Sequence, residues 1–337
     1  MGVKVQHFPL TLLVVLTTLT LPCERDHVLR LLFSLCLHFN DGLCLPPACE
    51  MISCRCKCVV GREVISTNSV EVVGVTSVND ELLVLLRRDD NQVAVCSISN
   101  DYKLRHHHLP GLESRYLSDM TTCVHSKCLY ISDPINNCIH RFVLSSGSIF
   151  SAIIRCITFR HTSKWSVPGA PCGLSVTPNC NLLVNCHSPT SKLVELSADS
   201  GQCVREITLQ SGIKYLWHAV QLTTGQFVVC HGLGENDLHR VCLVDAEGKV
   251  TRSYGGQPGS AVGQLNRPWH MAVDEDSQFV FVADSFNNRV MLLSPTLEFV
   301  RDFSEGLVQP HRLYFNHTTR RLYVGQWMIG DVAVIQL

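Results

Sequence analysis

The chain lacks excess charge of either sign. It has 28 Lys and Arg against 29 Asp and Glu in 337 residues, a formal net charge of −1. Nucleic-acid binders take most of their affinity from basic side chains that displace phosphate counterions, so this balance does not support an RNA partner. Also missing is a bilayer-length apolar run. The longest stretches, "FPLTLLVVLTTLTL" (8–21) and "VLRLLFSLCLHF" (28–39, interrupted by Arg30), are both too short to span. The first has the length of a signal-peptide core but is followed by Leu21-Pro22-Cys23 instead of a small-residue cleavage site. A cytoplasmic location is expected, with secretion as the alternative. Asn316-His317-Thr318 forms a glycosylation sequon only in the secreted case.

Catalytic signatures are absent as well. There is no Gly-x-Ser-x-Gly elbow, phosphate loop or His-Glu-x-x-His, and "GLGEND" (232–237) is not followed by the helix a dinucleotide site requires. Cysteine is plentiful, at 18, but not in a framework. Seven precede residue 59, including Cys44, Cys49, Cys54, Cys56 and Cys58, without the paired Cys-x-x-Cys knuckles of a RING or zinc ribbon. Residues 1–57 therefore read as an apolar, Cys-rich leader, signal-like or disordered. Later cysteines fall within apolar runs, as in Val95-Cys96 and Val229-Cys230, where a thiol behaves as a small hydrophobe. A reducing compartment fits this pattern.

What is present is a period. Apolar runs begin at Leu82, Leu129, Leu182, Phe227, Val280 and Leu322, spaced by 47, 53, 45, 53 and 42 residues. Each has a strand-like run and a turn before it and a third run after it, and a fourth often follows, as in "CVREITL", "KVTRSY" and "EFVRDF". Four short strands at such intervals are the sequence form of a propeller blade. The expected fold is all-β: a six-bladed β-propeller of four-stranded antiparallel blades over 58–337. The last unit stops after its third strand, and "REVISTN" (62–68) is available as its outer strand, so the ring is closed by the N-terminal strand.

Two hairpins share more than spacing. "GQLNRPWHMAVDEDSQFVFVADSFNNRVMLLSP" (263–295) resembles an NHL repeat in its Gly-x-Leu-x-x-Pro lead, its Ala-Val-Asp and Val-Ala-Asp strands and its Asn-x-Arg-Val opening; "LYISDPINNCIHRF" (129–142) resembles it less fully. The resemblance implies a propeller used mostly as a binding platform. Relatives of that kind include tripartite-motif ubiquitin ligases, and more distant ones are amidating lyases with three zinc-binding histidines on alternate blades.

Aligning the blades on their inner strands gives a column of Ser118, Cys172, His218, Trp269 and His311, with Val73 in the first blade. Alternate blades then offer Ser118, His218 and His311, one histidine short of the lyase set, so zinc is not expected; His218, His311 and Cys172 are the metal candidates of the channel. His218 and His311 are expected to face one axis together. The expected function is non-enzymatic: a monomeric protein-binding scaffold whose recognition face carries Trp217, His218, Trp269, His270, His311 and Arg312, since Trp and Arg anchor interfaces. The alternatives are a substrate receptor in a ubiquitin-ligase system and a metal-dependent lyase or hydrolase using the channel. "RHHH" (105–108) reads as a solvated loop, and Asp133 and Asp284 as turn-capping residues.

Overall fold

The computed structural model describes residues 62–337, apart from 68, 70, 80–81, 88–91, 99–101, 115, 147–156 and 188–189. The leader and its cysteines lie outside the described residues. Six four-stranded antiparallel sheets form a ring of blades, with inner strands Val72–Asn79, Met120–Cys123, Pro171–Val176, Leu216–Gln221, Pro268–Val273 and Pro310–Asn316. Blades one to five each use four consecutive strands. The sixth combines the last three strands with Arg62–Ile65, which pairs antiparallel with Val332–Gln336 (Arg62↔Ile335, Ile65↔Val332). The expected closure is the observed one.

The sequence pattern follows from how blades stack. Second strands such as Leu82–Arg87 and Phe227–His231 are buried on both faces and read as unbroken apolar runs. In blade one, Leu82, Val84 and Leu86 pack toward blade two, while Leu83 and Leu85 pack toward blade six. Six hydrophobic clusters result, one between each pair of neighbouring blades. Buried thiols such as Cys96 and Cys186 sit within them as small apolar side chains. Outer strands face solvent, so they carry the polar residues.

One outer strand departs from the sequence reading. Leu104–His108, containing the His106-His107-His108 run, is a strand and not a loop. It pairs with Gln92–Cys96 (Gln92↔His108, Cys96↔Leu104) and completes blade one. A strand at the rim buries little, so backbone pairing fixes it with almost no apolar signal in its side chains.

Closure has a measurable consequence. Deleting residues 59–68 strips the ladder from Val332–Gln336, exposes Ile65's packing site and removes the Thr67 hydroxyl that donates to the Gly330 carbonyl. At about 1 kcal/mol per lost hydrogen bond plus the burial of one isoleucine, the cost is on the order of 5 kcal/mol. Residues 59–337 are expected to express as a soluble all-β protein and 69–337 to aggregate through the bare edge. Equal solubility and equal urea midpoints for the two would show that closure is dispensable.

Candidate functional site

Five of the six inner strands, all but that of blade two, enter the ring through a β-bulge or register shift, which sets which side chains point into the channel. In blades three, four and six the ladder skips Cys172, Trp217 and His311, and in blade one it skips Val73. The residue after the bulge resumes pairing: Gly173 opposite Asn185, His218 opposite Cys230, Arg312 opposite Gly325 and Gly74 opposite Leu86. In blade five the skip spans Trp269 and His270, and in blade two Asp119 exchanges hydrogen bonds with Ser132. Two registers therefore exist, one with Val73, Ser118, Cys172, Trp217, Trp269 and His311, the other with Gly74, Asp119, Gly173, His218, His270 and Arg312.

This corrects the column read from sequence. His218 belongs one step further in than Cys172, Trp269 and His311, and it shares its register with His270. The aligned residue at the entry of each inner strand (Val72, Leu117, Pro171, Leu216, Pro268, Pro310) carried the signal. Placing Leu216 beneath Pro268 sets Trp217, not His218, beside Trp269.

The inner register is a packed polar core. Asp119, at 1 % exposed, accepts backbone N–H bonds from Met120 (2.9 Å) on Oδ1 and from Leu174 (2.9 Å) on Oδ2. Arg312, 3 % exposed, reaches from blade six across to blades one and two. Its Nε donates to the Val73 carbonyl at 2.9 Å and lies 3.4 Å from Asp119 Oδ1; its Nη1 donates to the His311 carbonyl at 3.0 Å and its Nη2 to the Ser118 carbonyl. Glycines clear the space around this core. A Cβ on Gly173 would stand 2.6 Å from the Trp217 carbonyl oxygen, and one on Gly74 2.5 Å from Met120 Cγ.

His218 and His270 stack face to face, centroids 3.7 Å apart, beside the same carboxylate. Burial, then the neighbouring His270, push His218 well below the ordinary imidazole value; burial likewise lowers His270 against the opposing pull of Asp119. Burial alone would raise the Asp119 carboxyl, but His270 and Arg312 outweigh it and hold it at about 2. With both imidazoles neutral at pH 7, Arg312 is the cation that keeps the carboxylate ionised there.

The metal that an amidating-lyase resemblance implies does not fit. His218 and His311 occupy different registers, so the expected histidine pair is not formed. Asp119, His218 and His270 do bring three ligand-type atoms within 4.8 Å of one another. Their tautomers oppose coordination, however. His270 Nδ1 accepts the Leu313 N–H (3.3 Å), which puts its proton on Nε2, toward Asp119 Oδ2 at 3.4 Å. His218 Nε2 faces the Leu174 carbonyl at 3.2 Å and must donate to it. Both Nε2 atoms thus carry protons where a metal would need lone pairs, and the Arg312 charge lies alongside.

Above this core the mouth is aromatic. Trp217 and Trp269 stack at 4.1 Å, Trp269 continues to Trp327 (5.6 Å), Trp327 stacks on His311 (5.3 Å), and His187 joins Trp217 to Tyr215. Of the six residues expected on the recognition face, Trp217 and Trp269 are partly exposed there, whereas His218, His270, His311 and Arg312 are buried beneath. The bulge separates Trp217 and Trp269 on the rim side from His218, His270 and Arg312 on the inner side; His311 shares the register of the tryptophans but is buried against Trp269 and Trp327. Trp327 and Asp119 escaped sequence reasoning: Trp327 stands in a turn without repeat signature, and Asp119 is one residue past the serine the alignment selected.

Fold and site together define a six-bladed β-propeller with a buried polar cluster beneath an aromatic mouth. Solved structures with this architecture are numerous. The Staphylococcus aureus virginiamycin B lyase has 12% identity and a TM-score of 0.54, covering 82% of this chain and 99% of that one. A catalytically inactive histidine-to-alanine form of that lyase with quinupristin gives 12% identity, a TM-score of 0.55 and the same coverage. Kuenenia stuttgartiensis hydrazine synthase gives 11%, a TM-score of 0.56, and 81% and 97% coverage. At these identities the likeness is one of fold. No protein-family profile and no curated protein sequence matches the chain.

Proposed function

We propose that this protein is a binding propeller of the NHL kind that recognises a protein partner on the face around its channel mouth. The observation that carries the reading is the distribution of exposed apolar side chains. Antiparallel pairing puts the loops entering each inner strand on the same end as those joining second to third strands. Among the described residues, twelve large hydrophobics are exposed. Seven of them (Tyr116, Ile135, Tyr215, Val262, Val308, Met328 and Ile329) lie in those loops. Only Val124 lies in a loop at the opposite end; the other four are on outer strands. Such concentration on one rim, around stacked tryptophans, is the composition of a protein interface.

The buried Arg312–Asp119 pair beneath the mouth favours a platform over a catalytic cleft. The interlocked motif of blade five supports the NHL kinship. There Asp284 accepts Asn266 N–H (2.6 Å), Asn287 Nδ2 (2.8 Å) and Arg289 Nε (2.7 Å), tying the motif's Asp, Asn and Arg into one turn.

Quantitative affinity capture with the full chain tests the proposal. A variant carrying Tyr116→Ser, Tyr215→Ser, Met328→Ser and Ile329→Ser is expected to lose at least tenfold of the partner recovered by wild type, while Val124→Ser on the opposite end keeps it. Equal recovery by all three proteins would refute the assignment of the face.

A further inference from the structure

Blades two and five repeat the same turn with one decisive exchange. In blade five, Asp284 ends the second strand and its register partner Arg289 opens the third, neutralising it directly. In blade two the equivalent pair is Asp133 and Cys138. The guanidinium is missing, and the space holds a thiol and an imidazole. His140 Nε2 lies 3.3 Å from Asp133 Oδ2 and 3.7 Å from Cys138 Sγ, and all three ligand atoms fall within 4.8 Å of one another. Asp133, Cys138 and His140 are all buried, just beneath the exposed turn 134–137.

We propose that Asp133, Cys138 and His140 form a zinc site of blade two, in which the metal supplies the positive charge that Arg289 supplies in blade five. Zinc bound to nitrogen, oxygen and sulfur at its usual bond lengths gives a tetrahedron with N···O edges of about 3.3 Å and N···S edges of about 3.6 Å. The observed N···O and N···S separations, 3.3 and 3.7 Å, match those edges. Charge matches as well: a carboxylate and a thiolate cancel a divalent cation, leaving a buried neutral centre.

The surroundings are those of a ligand set. The Asp133 carboxylate is held by Asn136 N–H (3.0 Å) and Ser114 Oγ (3.1 Å) on Oδ1 and by Asn136 Nδ2 (2.8 Å) on Oδ2, which keeps a lone pair for the metal. His140 Nδ1 faces His161 Nε2 at 3.3 Å. Here the contrast with the channel is clear. His270 is locked by a backbone N–H, which can only donate, whereas His161 can accept, so His140 is free to carry its proton on Nδ1 and turn the Nε2 lone pair to the metal. On binding, Cys138 Sγ–H releases one proton to solvent, the Zn–S bond forms, and water takes the fourth position.

The test uses the full chain. Its leader contributes further cysteines, so the readout is a difference in metal content. Cys138→Arg restores the blade-five pairing and is expected to fold while binding one zinc fewer per chain than wild type. His140→Gln, which keeps a polar group toward Asp133, is expected to lose the same equivalent. With cobalt(II) in place of zinc, wild type minus Cys138→Arg should show a thiolate charge-transfer band in the near ultraviolet. His161→Ala is expected to weaken zinc at this site about 10- to 100-fold. Identical zinc content and cobalt spectra in wild type, Cys138→Arg and His140→Gln would overturn the site.

Discussion

Replacing Arg312 by methionine is expected to lower unfolding free energy by about 3–5 kcal/mol, the usual cost of leaving one member of a buried ion pair uncompensated. Three effects act in the same direction. Asp119 loses its neutral-pH cation, the carbonyls of Val73, Ser118 and His311 lose donors, and the spoke linking blade six to blades one and two disappears. Arg312→Lys should recover little, because one ammonium cannot reach three carbonyls and a carboxylate set around a planar fork. Asp119→Asn combined with Arg312→Met should be less damaging than the two single losses added together, with a coupling energy of at least about 1 kcal/mol. Urea unfolding of wild type, Arg312→Met, Arg312→Lys, Asp119→Asn and the double variant measures this. A loss below about 1 kcal/mol for Arg312→Met would show that the guanidinium contributes no more than a surface charge.

Stability is expected to fall steeply between pH 6.5 and pH 4. His218, His270 and His231 are all depressed by burial, His231 to about 4. The folded chain then binds fewer protons than the unfolded chain once pH drops below the unfolded value near 6.5, so acid favours unfolding. Each such histidine contributes up to about 1.4 kcal/mol per pH unit until its own folded pKa is reached. For His231 the full interval comes to about 3 kcal/mol. Asp119 works in a lower window: its depressed pKa gives stability that is complete above about 3.9 and is lost as pH falls toward 2, so it does not offset the histidines. Urea midpoints at pH 7.5, 6 and 5 should decline progressively, and His231→Gln should flatten the decline by the share assigned to that residue. Constant midpoints from pH 7.5 to 5 would mean that the buried imidazoles are solvated.

The sequence by itself determined the ring. Blade number, the second-strand starts and closure by "REVISTN" were all legible, because a strand buried between two neighbours must be apolar on both faces, and such a run repeats wherever a blade does. Asp133 was legible for a similarly local reason, since it accepts the backbone N–H of Asn136 in its own turn; Asp284 does not cap its turn and instead accepts the Asn266 N–H and the Asn287 and Arg289 side chains. What only the tertiary structure decided was where the polar side chains point. A single bulged residue moves His218 out of the register of His311 and into that of His270, and it turns Arg312 from a surface anchor into the bolt of the channel. Asp119 acquires its meaning from Arg312, 193 positions away in the chain, and Cys138 from a pairing that Arg289 makes three blades on. Periodicity reports burial, which is set strand by strand; a bulge costs one residue of register and leaves no mark on hydrophobicity, so the chemistry of the axis is fixed only when the blades close around it.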